Sequence, residues 1–111
     1  MRRTVLVILF SLFASLGFGW SALLEIVNET GFTFYWIYVS HQSQDQWGID
    51  RLGNDVLLDQ ETLRISLENY PDGVFDIRII DEDNDTYTFR SKVLEPVTTL
   101  RVRLVDLDRR R

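Results

Sequence analysis

The sequence predicts an all-β protein, an antiparallel β-sandwich of the immunoglobulin-like or C2-like kind, preceded by an N-terminal apolar signal segment. Three observations predict it. Four segments alternate apolar and polar residues with period two, each with one face for a shared core. Turn residues separate the segments at spacings of roughly 8–12 residues, as in sandwiches and small barrels. Beyond residue 24 no stretch carries the 3.6-residue period of an amphipathic helix.

The four segments are explicit. Leu63, Ile65 and Leu67 alternate with Thr62, Arg64, Ser66 and Glu68; Phe75, Ile77 and Ile79 with Asp76 and Arg78. Tyr87 and Phe89 alternate with Thr86, Thr88 and Arg90; Leu100, Val102 and Leu104 with Thr99, Arg101 and Arg103. Residues 24–27 make a shorter fifth strand beginning near Leu23, and residues 56–58 a candidate sixth. Gly31 and Gly73 close two turns, Asn-Glu-Thr-Gly and Tyr-Pro-Asp-Gly, and residues 81–85 form a hairpin tip.

One strand breaks the alternation. Residues 32–39 read Phe-Thr-Phe-Tyr-Trp-Ile-Tyr-Val, apolar or aromatic on both faces. Strict alternation puts Phe32, Phe34, Trp36 and Tyr38 on one face and Tyr35, Ile37 and Val39 on the other. Such a strand is covered on both sides, with the loop over residues 40–54 as the cover, or it offers aromatics at a surface for a sugar, a peptide or another protein.

The 111 residues leave room for one domain. Residues 1–21 read as a secretory signal: Arg2 and Arg3, an uncharged apolar run over residues 4–16, then small residues at Gly17, Gly19, Ser21 and Ala22. Cleavage after Ser21 places Gly19 and Ser21 where the peptidase needs small side chains; cleavage after Gly19 is nearly as good. The domain spans residues 22–108 and a basic tail residues 109–111. The arginines hold the N-terminus in the cytoplasm, so the domain lies outside it, periplasmic or secreted. It has no stable membrane span after processing and is membrane-anchored if the segment is retained.

Hydrophobic and charged fractions of 45% and 26% are those of an ordinary globular chain. The net charge is −5, and −7 without Arg2 and Arg3, because all 17 acidic residues follow the leader. An acidic surface argues against nucleic acid as a partner. The absence of cysteine excludes disulfides, thiolate metal sites and cysteine nucleophiles.

Two regions stand out as candidate sites. The aromatic strand and the Trp-Gly-Ile-Asp-Arg-Leu-Gly loop over residues 47–53 supply Tyr35, Trp36, Tyr38, Trp47 and Asp50 as ligand-binding residues; the plainer reading puts Trp47 in the core. The acidic hairpin supplies Asp81, Asp83 and Asp85 as metal-binding residues, with Ca²⁺ as the cation and Asp50 or Asp55 as further donors. The EF-hand pattern is absent, since Thr86 and Lys92 stand where it needs Gly and Glu. Otherwise the hairpin is a solvated turn, and no cofactor is required.

His41 is the single histidine, beside Ser40 and near Asp45. Neighbours on a strand point to opposite faces, so Ser40 and His41 do not pair directly. No nucleophile elbow or phosphate loop appears, and the chain is not expected to be an enzyme. The triplets at Asn28 and Asn84 match the N-glycosylation pattern.

The motifs Asn28-x-Thr30-Gly31, Ser40, Trp47-Gly48-x-Asp50-x-Leu52-Gly53, Leu58 and Asp81-x-Asp83-x-Asp85-Thr86-Tyr87 together resemble a family of small uncharacterised exported bacterial β-domain proteins. The resemblance covers roughly residues 25–89. Asn84 stands where family members often carry Gly. It implies an envelope or extracytoplasmic setting and no activity.

The expected function is a non-enzymatic extracytoplasmic binding or interaction module, its partner a protein or envelope component. The alternatives are a calcium-dependent adhesion or lipid-contacting sandwich and a hydrolase of unmarked type.

Overall fold

The computed structural model describes residues 19–109. Residues 1–18, which hold most of the expected signal segment, and Arg110 and Arg111 of the expected basic tail lie outside the described residues. Six strands follow in order: β1 (Trp20–Glu29), β2 (Phe34–His41), β3 (Thr62–Tyr70), β4 (Val74–Asp81), β5 (Thr86–Val93) and β6 (Val97–Arg103), then a single 3₁₀ turn over Leu104–Asp106. They form two three-stranded sheets, ordered β3-β1-β6 and β2-β4-β5.

The period-two segments lie where the alternation places them, with the apolar residues inward, except that Leu104 falls beyond β6 in the 3₁₀ turn and is exposed. Leu24, Ile26, Ile65, Leu67, Leu100 and Val102 of the first sheet share one core with Phe34, Ile37, Val39, Phe75, Ile77, Ile79 and Tyr87 of the second. Two small sheets closing on one apolar interior give a sandwich-like, all-β arrangement. Ile37, Phe75, Ile77 and Ile79 are completely buried, each side chain contributing about 1.5–3 kcal/mol of transfer free energy.

Strand direction departs from the antiparallel expectation. β1 pairs antiparallel with β3 but parallel with β6, Leu23 beside Val97 and Glu29 beside Arg103. Alternation encodes which face is apolar and carries no information about direction. The chain crosses from β5 in one sheet to β6 in the other and returns alongside β1 with the same heading.

The boundaries move as well. β1 begins at Trp20, not near Leu23: Trp20 stands opposite Tyr70, and its indole lies 5.7 Å from the Phe75 ring. The candidate strand over residues 56–58 is a single bridge, Leu57 exchanging both backbone hydrogen bonds with Phe34 at 2.8 and 3.0 Å while Val56 and Leu58 stay exposed.

The aromatic strand corrects the assigned faces. Phe34 stands opposite Asp81 and Trp36 opposite Ile80, so two residues of β2 advance against one of β4. The extra residue, Tyr35, is a bulge, and a bulge reverses the phase of everything after it. Phe34 therefore shares the inner face with Ile37 and Val39, whereas Tyr35, Trp36 and Tyr38 turn away from the core. Phe34 and Trp36 lie on opposite faces.

The two outer faces differ in chemistry. On the β3-β1-β6 sheet, Arg64 Nε donates to Glu25 at 2.9 Å, Thr99 Oγ1 donates to the same carboxylate, and Arg101 and Arg103 both donate to Glu29. Those guanidinium contacts hold Glu29 below the usual carboxylate range, Arg101 first. That face is a polar ladder of cross-strand pairs. The outer face of β2-β4-β5 carries the aromatics.

Candidate functional site

Cross-strand register builds the outer face of β2-β4-β5 in rows. Trp36, Ile80 and Thr86 form one, Tyr38, Arg78 and Thr88 the next, and Ser40 stands beside Asp76. The bulge leaves Tyr35 and Trp36 side by side, ring centroids 5.7 Å apart and edge to face, 42% and 37% exposed. Tyr38, in the next row beside Arg78, is half-buried.

The loop after β2 closes over the lower rows. Asp50 Oδ1 accepts the Ile37 N–H at 2.9 Å and the Leu52 N–H at 3.0 Å, while the Arg51 N–H donates to the Ile37 carbonyl at 2.7 Å. These bonds pin the loop to the free edge of β2 and send Leu52 into the core. Asp50, expected among the ligand-binding residues, clamps the loop through its Oδ1. Trp47 is neither a core plug nor an exposed finger. Its half-buried ring lies 5.0 Å from the Arg78 guanidinium carbon and 5.1 Å from that of Arg90. A guanidinium over an indole is worth about 0.5–1 kcal/mol near a surface, and it fixes the arginines that the ring contacts. Between the loop and the sheet lies a polar cleft of about 120 Å³, whose walls include Ser40, Asp45, Trp47, Asp76 and Arg90. Arg90 faces Asp76 at 3.5 Å, and Asp76 also accepts the Ser91 N–H at 2.8 Å.

The remaining edge of this sheet is held by the end of the domain. The Asp108 N–H donates to the Thr86 carbonyl, and its carboxylate accepts both Thr86 Oγ1 and Thr88 Oγ1 at 2.6 Å and the Thr88 N–H at 2.8 Å. Partial burial pushes the Asp108 carboxyl upward, but these donors and the Arg78 charge outweigh it and hold the group below its ordinary range.

The acidic hairpin is organised around Asp81. Asp81 is buried; its Oδ1 accepts the Asp83 and Asp85 N–H groups at 2.9 and 3.0 Å, and its Oδ2 accepts the Tyr87 hydroxyl at 3.1 Å. Those bonds shape the turn, and Asn84 completes it at a φ of 63°. Asp85 and Asp108 share the wall of a depression of about 280 Å³ with Arg109, a cation. Among the described residues no three His, Cys, Asp or Glu side chains come together as a metal site. Asp81, Asp83 and Asp85, the trio expected to offer cation ligands, lie on one turn, and the first of the three carboxylates accepts the hydrogen bonds that shape it.

His41 has partners other than Ser40 and Asp45. Ser40 Oγ donates to the Gln46 carbonyl at 3.2 Å. The Ser43 N–H donates to His41 Nδ1 at 3.2 Å, Ser43 Oγ lies 2.8 Å from the same nitrogen, and Nε2 lies 2.8 Å from Asp72 Oδ1. Nε2 therefore carries the proton and donates to Asp72, which this bond holds below the usual aspartate range. The series Ser43–His41–Asp72 has the order of a proton relay. However, the Ser43 amide, a natural oxyanion donor, is turned back onto the imidazole. The ring itself is buried, stacked 5.9 Å from Tyr70 and edge-on to Phe75 at 5.3 Å. The group ties the end of β2 to the β3–β4 turn.

Asn28 is fully buried and uses its whole amide: Nδ2 donates to the Phe32 and Leu57 carbonyls at 2.7 and 3.1 Å, and Oδ1 accepts the Thr30 N–H and Oγ1. In the folded domain it has no atom left for a glycan. Arg78, Arg90 and Asp108 are the residues that sequence reasoning missed. Arg78 and Arg90 read as the polar face of ordinary strands and Asp108 as the end of the domain, and nothing local indicates that Trp47 would land on the two arginines.

No family model matches the chain, and no match is found among curated proteins. Among solved structures the chain is similar to the NMR structure of a protein from Eubacterium rectale, with a TM-score of 0.56 and 15% sequence identity over 75% of this chain and 77% of that one. The likeness is one of fold, and it supports the all-β, two-sheet arrangement.

Proposed function

We propose that the protein is a non-enzymatic extracytoplasmic binding module that captures a protein partner through the outer face of β2-β4-β5. One observation carries the reading. The Tyr35 bulge turns two consecutive aromatics outward on the same face where the Arg78 and Arg90 guanidinium groups lie against the Trp47 ring. Tryptophan, tyrosine and arginine are the residues that dominate binding energy at protein interfaces, because each combines a large rigid contact area with a polar edge. The opposite outer face, on β3-β1-β6, spends its arginines on Glu25 and Glu29. We also read the six strands as a reduced immunoglobulin-like sandwich, one strand short of the seven-strand constant type.

The test is comparative. The wild-type domain is immobilised and exposed to a solubilised envelope fraction beside Trp36→Ala and Arg78→Ala. A partner retained by the wild type and lost by both variants, at unchanged circular dichroism and melting temperature, supports the reading. Equal retention by all three removes it, and unfolding of Trp36→Ala returns that residue to a structural role.

A further inference from the structure

We propose that the bond cut when the leader is removed is Gly19–Trp20, so that the mature chain starts at Trp20. The proposal rests on reading the residues before it as a secretory leader; the fold supplies the position of the cut.

Trp20 is an integral part of β1. It stands opposite Tyr70, and its indole lies 5.7 Å from Phe75 in a ring cluster that continues through Tyr70, 4.9 Å from Phe75, to His41. The facing backbone is shaped to admit it. A Cβ added at Gly73 would run into Cζ2 of the indole, sit 2.8 Å from its Cε2 and 2.9 Å from the Leu94 carbonyl oxygen. Gly73 does not occupy the left-handed region, so the missing side chain there serves close approach and not the turn's backbone angles.

Ser21 is exposed. A cut after Ser21 would remove the indole, delete the Trp20–Tyr70 pair and leave the surface over Gly73 and Phe75 bare. A cut after Gly19 keeps both. Gly19 is exposed, and nothing lies within 4 Å of where its side chain would start. Gly17 and Gly19 provide the small residues that leader peptidases require ahead of the bond. The step is a hydrolysis: water adds across the amide, the Gly19 carbonyl leaves as a carboxylate on the leader, and Trp20 gains an α-ammonium group.

The full chain is expressed in an exporting bacterial host and recovered from outside the cytoplasm. Its N-terminus is then read by intact mass and N-terminal peptide mass spectrometry. The expected product begins at Trp20, and Ser21→Leu is expected to give the same cut. Its larger side chain faces solvent on the strand but would block a peptidase acting after residue 21. A product beginning at Ala22, or loss of processing in Ser21→Leu, overturns the position. A product beginning at Met1 overturns the leader reading together with it.

Discussion

The Tyr87 hydroxyl donates to Asp81 Oδ2 across 3.1 Å inside the sandwich, joining the first residue of β5's inner face to the carboxylate that shapes the turn before it. Burial, and then the Asp81 charge, push the Tyr87 phenol far above its ordinary value. The raised value means that the folded state favours the protonated phenol. Its contribution is complete below about pH 10, the unfolded tyrosine value, and is lost as pH rises above that. Tyr87→Phe is expected to destabilise by about 1–3 kcal/mol at neutral pH, because Asp81 loses a buried partner. The gap from wild type is expected to narrow in alkali. Urea denaturation at pH 7 and pH 10.5 checks both.

Asn28 satisfies two carbonyls and two donors at once, so its two replacements separate. Asn28→Ala is expected to cost roughly 2–4 kcal/mol. Asn28→Asp keeps the volume but aims a carboxylate at the Phe32 and Leu57 carbonyls, at an expected cost of at least about 3 kcal/mol. Denaturation midpoints rank the two, and an aspartate variant as stable as wild type would falsify the assignment.

Asp50 holds the 47–53 loop through the Ile37 and Leu52 amides. Asp50→Ala is expected to cost about 1–2 kcal/mol and to release Trp47 from Arg78 and Arg90. Its emission should then shift to the red before global unfolding. A variant with wild-type emission and hydrogen exchange across the loop would show that the clamp is redundant.

Acid should loosen the end of the domain. The depressed Asp108 carboxyl contributes stability that is present above the ordinary aspartate value of about 4 and is lost as pH falls through its lower folded value. Amide exchange at Thr88 should therefore accelerate in that window in the wild type and be fast throughout in Asp108→Ala. Thr88 protection that ignores both pH and the substitution would sink the idea.

Much of the fold was legible because alternation is a local signal. Phe75, Ile77 and Ile79, or Leu100 and Val102, need only a half-buried strand to explain their order, and the structure gives them one. Composition and charge likewise belonged to the chain, as did the lack of cysteine and the aromatic excess over residues 32–39. What alternation cannot carry is phase, direction or distant company. The bulge at Tyr35 reversed the faces of Trp36 and Tyr38, and the heading of β6 beside β1 followed from how the chain crosses between sheets. Trp47 acquired Arg78 and Arg90, and Asp81 acquired Tyr87, only when strands far apart in sequence were brought into register. Hydrogen bonds and ring contacts depend on distances in space, and the order of residues along a chain does not contain those until the core has closed.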